Sequence, residues 1–311
     1  MSRWHGLVVV LLLPLGCPLL NDDGGGGGSN SVVFSKGFVF VRKDDRNVYV
    51  ADEADLSTVG RLTTAGGAHH PSLSQDGRQV VFVQTNGGES AIQTVAVNGG
   101  ALPSTVFSST ATQKNLRTPV FSPDGRKIAF AYDEGASSSI GWVNADGTGF
   151  ERLAGGSALS YASPSFYSDG TRLLAIAGSS SATYTQLENI DLATGTATNV
   201  TSNLGPAALQ VANRVVVSPD GSKAAFDART SVGGVRIFVI DLTSKEVGQL
   251  TEYPADPNVV DGFPTWVGIS QVGFSSDSGG NDQVYALPAN ITKSSGGLKL
   301  PSAIEPWYGP N

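Results

Sequence analysis

The chain is short of the residues that build most reaction centres. In 311 residues there is one cysteine, one methionine and three histidines. A lone cysteine rules out an internal disulfide. Beyond His5 the only histidines are the adjacent pair His69 and His70, whose side chains leave a regular strand on opposite faces and so do not meet at one metal. No P-loop spacing, GxSxG elbow or HExxH pair occurs. Charged residues make up only 15%, against about 25% in an ordinary soluble domain. The net charge of −7 argues against an electrostatic footprint for nucleic acid. No apolar run reaches the roughly 20 residues needed to span a bilayer as a helix.

Glycine, by contrast, is abundant: 39 residues, beside 16 prolines. The two together stay below the roughly 25–30% that marks low complexity, so the excess is read as turns. One stretch shows how it is used. In "RTPVFSPDGRKIAF" (117–130), Pro123 presets φ for a type I turn, Asp124 tolerates the next position, and Gly125 takes the left-handed conformation that follows. Ile128 and Phe130 then share one face of a strand. The pattern recurs as "HPSLSQDGRQVVF" (70–82), "SPSFYSDGTRLLAI" (163–176) and "RVVVSPDGSKAAF" (214–226). The turn aspartates Asp76, Asp124, Asp169 and Asp220 are 48, 45 and 51 residues apart, the length of one propeller blade. "FPTWVGISQVGF" (263–274) is a degraded fifth copy.

Each copy continues into a third and a fourth strand, so the unit is a four-stranded antiparallel meander. A sixth unit is divided between the ends of the chain. "GFVFV" (37–41), "NVYVAD" (47–52) and "GRLTT" (60–64) supply its second to fourth strands, and "EPWYGPN" (305–311) aligns with "TPVFSPD" as the missing first strand. Sharing one blade between the termini closes the ring. The expected fold is an all-β, six-bladed propeller over residues 36–311.

The Pro-x-aromatic-Ser-Pro-Asp-Gly turn followed by apolar alternation resembles the TolB-type propeller repeat. The resemblance spans residues 36–311 and is specific for fold. That family includes a periplasmic Tol-system protein, propellers attached to prolyl-oligopeptidase-type hydrolases, and oligogalacturonate lyase. Relative to TolB itself, the N-terminal α/β domain is missing.

Upstream, "MSRWHGLVVVLLLPLGCPLL" (1–20) reads as an export signal, with Arg3 at the charged start and an apolar stretch from Gly6 to Leu13. Leu15-Gly16-Cys17 resembles a bacterial lipobox, from which Pro14 departs. The expectation is a signal peptide over 1–16, lipidation at Cys17, and a Gly-rich tether over 17–35 that holds the propeller to a membrane in the cell envelope. The other reading makes Cys17 incidental.

In such a ring the connections from second to third strand and from fourth to first lie on one face, and these are the long ones. They include 108–117, 202–214 and 252–263. Long loops on a rigid scaffold are where binding resides. Residues just before each first strand should ring the channel mouth: His69 and His70, Arg117 and Thr118, Ala162 and Ser163, Asn213 and Arg214, Asp261 with Phe263, and Glu305. Of these, His70, Arg117, Arg214, Asp261 and Glu305 are the candidate ligand-binding set, suited to a polar or anionic group. Their other role would be to bond neighbouring blades around a wet channel. Neither a metal nor a cofactor is called for: "NADGTG" (144–149) hints at calcium but sits in a hairpin turn without the remaining loop ligands. The functional expectation is a monomeric binding scaffold for an envelope protein or a small polar ligand. The alternative is a hydrolase or lyase acting on an envelope saccharide or peptide at the same mouth.

Overall fold

A computed structural model describes residues 33–155, 158–181, 183–201, 210–231, 233–252, 256, 258–290 and 297–311. The signal peptide, Cys17, most of the tether and parts of the long loops 202–214 and 252–263 lie outside the described residues. Twenty-four strands form six sheets of four antiparallel strands each. The first blade is ordered Ala303–Gly309, Gly37–Arg42, Val48–Asp52, Val59–Arg61. The C-terminal strand is therefore the innermost strand of the blade begun at the N-terminus, with Gly37 opposite Gly309 and Arg42 opposite Ala303. The remaining blades run consecutively from inside to outside. Their inner strands are Ala68–Leu73, Lys114–Phe121, Ser160–Phe166, Gln210–Val217 and Asp261–Val267, in blades two to six.

The second strand of each blade has its middle residues buried, as expected where neighbouring blades cover both faces of the sheet. Phe82, Phe130, Phe226 and Phe274 recur at one position of the repeat and are fully buried, each contributing about 1.5–3 kcal/mol of burial. The Ser-Pro-Asp-Gly turns are self-capped. Ser122 Oγ donates to Asp124 Oδ1 (2.6 Å), and Asp124 Oδ1 also accepts the Arg126 amide (3.1 Å). Ser74 with Asp76 and Ser218 with Asp220 repeat the arrangement. Gly125 has φ 69°, open to glycine without strain. These aspartates serve the turn, as their spacing implies.

Hydroxyls stitch adjacent inner strands. Ser72 Oγ donates to the Pro119 carbonyl (2.7 Å), Ser163 and Ser165 hydroxyls accept the Val215 and Val217 amides (3.0 Å each), and Thr265 Oγ1 accepts the Tyr308 amide (2.9 Å). These bonds join blades two and three, four and five, and six and one. Asn311 does not form a turn like that of Asp124. Its side chain instead bonds the Gly268 amide (3.1 Å) and the Trp266 carbonyl (3.3 Å) of the sixth blade.

Candidate functional site

The ring residues do not precede the inner strands, as the sequence suggests. They lie within them, each at a break in register against the second strand: between His69 and Ser72, Arg117 and Val120, Ala162 and Ser165, Val211 and Val215, and Gly262 and Thr265. Such bulges bend a strand and re-aim a side chain. At five of the six blades the bulged residue precedes proline and has left-handed backbone: His70 (φ 51°), Thr118 (47°), Ser163 (51°), Phe263 (56°) and Glu305 (52°). Clash with the proline ring disfavours the right-handed helical region for such a residue. Non-glycine residues at positive φ cost on the order of 1–3 kcal/mol and gather where side-chain placement matters. Arg214, followed by Val215, is the member without proline, and its φ is not positive.

Each bulge frees a backbone N–H that needs an acceptor. In blades two, five and six, two buried carboxylates supply it. Glu305 accepts the His70 amide. Asp227 accepts the Asn213 and Arg214 amides on Oδ1 (2.9 and 2.8 Å), and the Asn213 side chain and Phe263 amide on Oδ2 (2.8 and 3.1 Å). Burial raises the pKa of Asp227 while these donors oppose the rise. Burial likewise penalises the Glu305 charge, but the His70 imidazole, the His69 ring and the His70 amide outweigh it and hold its pKa at about 2.

The centre of the mouth is filled from one side. Arg214, in the fifth blade, crosses the channel to donate to the Pro306 carbonyl of the first (2.6 Å). Its guanidinium lies 5.3 Å from the Phe263 ring centre and 5.5 Å from that of Trp307. Burial lowers its pKa to about 10, with Glu305 and Asp227 opposing, so it stays charged at neutral pH. His70 also packs on Phe263, at 5.7 Å between ring centres. Beneath, the space bounded by Pro71, Pro119, Pro164, Arg214 and Trp307 amounts to only about 10 Å³.

The other side stays open. A cavity of about 350 Å³ is lined by His70, Arg117, Thr118, Asp133, Ala162, Ile176, Ser181, Tyr184, Ala212 and Asn213. It exists because the ring carries small residues there, Thr118 and Ser163, where neighbouring blades place His70, Arg214 or Phe263. Three polar atoms in its wall are shielded from solvent and have no hydrogen-bond partner among the described residues: His70 Nδ1, Thr118 Oγ1 and the ion-paired Asp133 Oδ1. Thr118 is only 8% exposed. The His70 residue as a whole retains some solvent contact, but enclosure of its ring lowers its pKa to about 4, with Glu305 opposing. Its imidazole is therefore neutral at pH 7, offering Nδ1 as donor or acceptor according to tautomer. Arg117 Nη2 lies 2.7 Å from Asp133 Oδ1. Asn115 braces the pair, accepting from Arg117 Nη1 on its carbonyl (2.8 Å) and donating to Asp133 Oδ2 (2.7 Å). Asp133 Oδ1 makes an ion pair but no aligned hydrogen bond.

Of the five candidate residues, His70 and Arg117 line this cavity. Arg214 and Glu305 are buried in the filled half, where Glu305 faces Arg46 and His69 (3.7 Å each) rather than Arg117. Asp261 is fully buried at the start of the sixth inner strand. Asp133, Tyr184 and Asp227 were not anticipated. Asp227 carried a signal: it stands in "AAFDAR" (224–229) where the second and third blades have Val83 and Ala131. A second, more open cavity of about 190 Å³ lies on the opposite face, among the tight turns and around Trp307. Among the described residues no group of three or more His, Cys, Asp or Glu is placed to hold a metal.

No protein-family model and no curated protein matches the chain. Solved structures do. TolB from Acinetobacter baumannii superposes with a TM-score of 0.69 at 17% identity, covering 88% of this chain and 66% of that one. A putative TolB from Agrobacterium tumefaciens gives 0.59 at 16%, covering 88% and 97%. Oligogalacturonate lyase from Vibrio parahaemolyticus gives 0.52 at 14%, covering 82% and 78%. At such identities the likeness is one of fold, and this chain's own fold is a six-bladed propeller of the TolB type.

Proposed function

We propose that this protein is an envelope-tethered binding propeller, exported and lipid-anchored through Cys17, whose long-loop face engages its ligand or partner at the open half of the channel mouth. The observation that supports the site is the pairing of a cavity of about 350 Å³ with two shielded polar atoms, His70 Nδ1 and Thr118 Oγ1, that no group among the described residues satisfies. Buried polar groups are nearly always partnered, and a pocket of a few hundred Å³ with convergent polar groups is the usual form of a small-ligand site. Arg117 and His70 contact the ligand in this reading. Glu305, Arg214 and Asp261 belong to the wall behind them.

The test is Thr118→Met, which fills the cavity from its floor. Pull-down from detergent-solubilised envelope, run with the wild type and the variant, should lose the wild-type partner or ligand in the variant at unchanged melting temperature. Retention would move the site off the mouth. Anchoring is tested separately: Cys17→Ser should shift the protein out of the membrane fraction or leave an uncleaved precursor. A variant that fractionates and migrates like wild type refutes lipidation.

A further inference from the structure

The mouth cavity has a chemistry that narrows its ligand beyond "polar". Its two formal charges, Arg117 and Asp133, are 2.7 Å apart and neutralise one another. His70 contributes a neutral ring, and the buried Glu305 and Arg214 charges lie outside the lining. An anion would meet an arginine whose charge is already paired, and would approach the Asp133 carboxylate as well. The groups left over are all of the kind that hydroxyls satisfy. Thr118 Oγ1 and Ser181 Oγ both donate and accept, and His70 Nδ1 does one or the other. The Asn213 side-chain nitrogen is committed to Asp227, leaving its oxygen as an acceptor.

Ile176, Ala162, Ala212 and the Tyr184 ring give the cavity an apolar wall. Tyr184 is held in place by its hydroxyl bond to Ser138 (2.8 Å), so the ring is a fixed surface. A ligand that fits must therefore be uncharged, carry several neighbouring hydroxyls and have an apolar face.

Resting on the proposed binding site, we infer that the cavity takes an uncharged sugar unit of a saccharide, discriminating against uronates and zwitterions. The probes are glucose, galactose and N-acetylglucosamine as neutral sugars, galacturonate as an anion and glycylglycine as a zwitterion. Each is titrated by calorimetry into the full-length wild type, Thr118→Val and Asp133→Asn proteins. At least one neutral sugar should bind at least tenfold more tightly than galacturonate and glycylglycine. Thr118→Val, which keeps the volume but removes the hydroxyl, should weaken that sugar about tenfold, because a site built to bond a hydroxyl is left with an unmet partner. Asp133→Asn frees the arginine charge and should bring galacturonate up to, or past, the neutral sugar.

Galacturonate or glycylglycine binding as tightly as every neutral sugar in the wild type overturns the inference, as does an unchanged affinity in Thr118→Val. Failure of all three neutral sugars also overturns it. In that case loss of the envelope partner in Thr118→Met would leave the mouth as the binding site and refute only the saccharide class. Retention of that partner would remove both.

Discussion

Two halves of one ring have opposite characters. Blades one, two, five and six turn Glu305, Trp307, His70, Arg214 and Phe263 toward the axis and fill it, and Glu305 and Asp227 accept the amides freed by the bulges there. Blades three and four place Thr118 and Ser163 at the same repeat position and leave a cavity. The backbone device is shared, since left-handed pre-proline residues occur in both halves. What differs is side-chain volume. A repeat protein can thus keep a rigid frame in most of its copies while a few copies carry the site.

Four outcomes would sharpen or break this contrast. The largest concerns the frame itself. Deleting Leu300–Asn311 removes the inner strand of the first blade together with the buried side chains Leu300, Ile304 and Tyr308. At about 1.5–3 kcal/mol each, the loss rivals the roughly 5–15 kcal/mol that hold a whole domain together. Insolubility or loss of the cooperative melt is expected, and an unchanged melting temperature would place the tail outside the ring.

Next comes Asp227→Ala, which strands three backbone amides and removes a neighbour of the buried Arg214 charge. Breaking such a buried arrangement costs about 3–5 kcal/mol, read as a fall in the urea midpoint. A shift within about 1 kcal/mol would mean that the filled half does not depend on its carboxylates.

The third is a pH effect. His70 has its folded pKa lowered from 6.5 to about 4, so between those values the unfolded chain binds more protons. Stability is then fully present near pH 7 and is lost as pH falls through that window, by up to about 3 kcal/mol. Glu305, lowered from 4.5 to about 2, extends the loss at lower pH with the same sign. Asp227, with its pKa raised, works the other way and offsets part of it. Urea unfolding at pH 7 and pH 4.5 should show the drop in wild type and a flatter response in His70→Asn. Equal slopes in the two proteins would remove His70 from the account.

Smallest is Arg117→Ala in the open half. Its ion pair with Asp133 is partly exposed, and such pairs are worth at most about 1 kcal/mol. The melting temperature should barely move. A collapse would show Arg117 to be a strut between strands and the two halves to be alike.

Much of the frame could be read from residue order alone. The repeated turn, the aspartate spacing and the alignment of "EPWYGPN" with "TPVFSPD" specify six blades and their closure, because these features are local or periodic. The asymmetry of the mouth was less accessible. Strand alternation places Thr118 and His70 by counting, but the pre-proline bulges reset the count and turn them to the axis. Arg214 was legible as a charge near the mouth; that it spans to the first blade depends on distances across the ring, which no local pattern encodes. Asp133 and Tyr184 come from the second strand of one blade and the region before the third strand of the next, and meet only once the ring is closed. Asp227 stood out in an apolar strand, yet its use as an acceptor follows only from bulges that periodicity does not announce.

The pairing of Gly37 with Gly309 has a bearing on orientation. The first strand enters the ring on the face of the tight turns and runs toward the mouth, while the last strand leaves the mouth and ends on the same tight-turn face. Anything that grips the chain ahead of Gly37 therefore holds the propeller by its underside. The open cavity lies on the face opposite that point of entry.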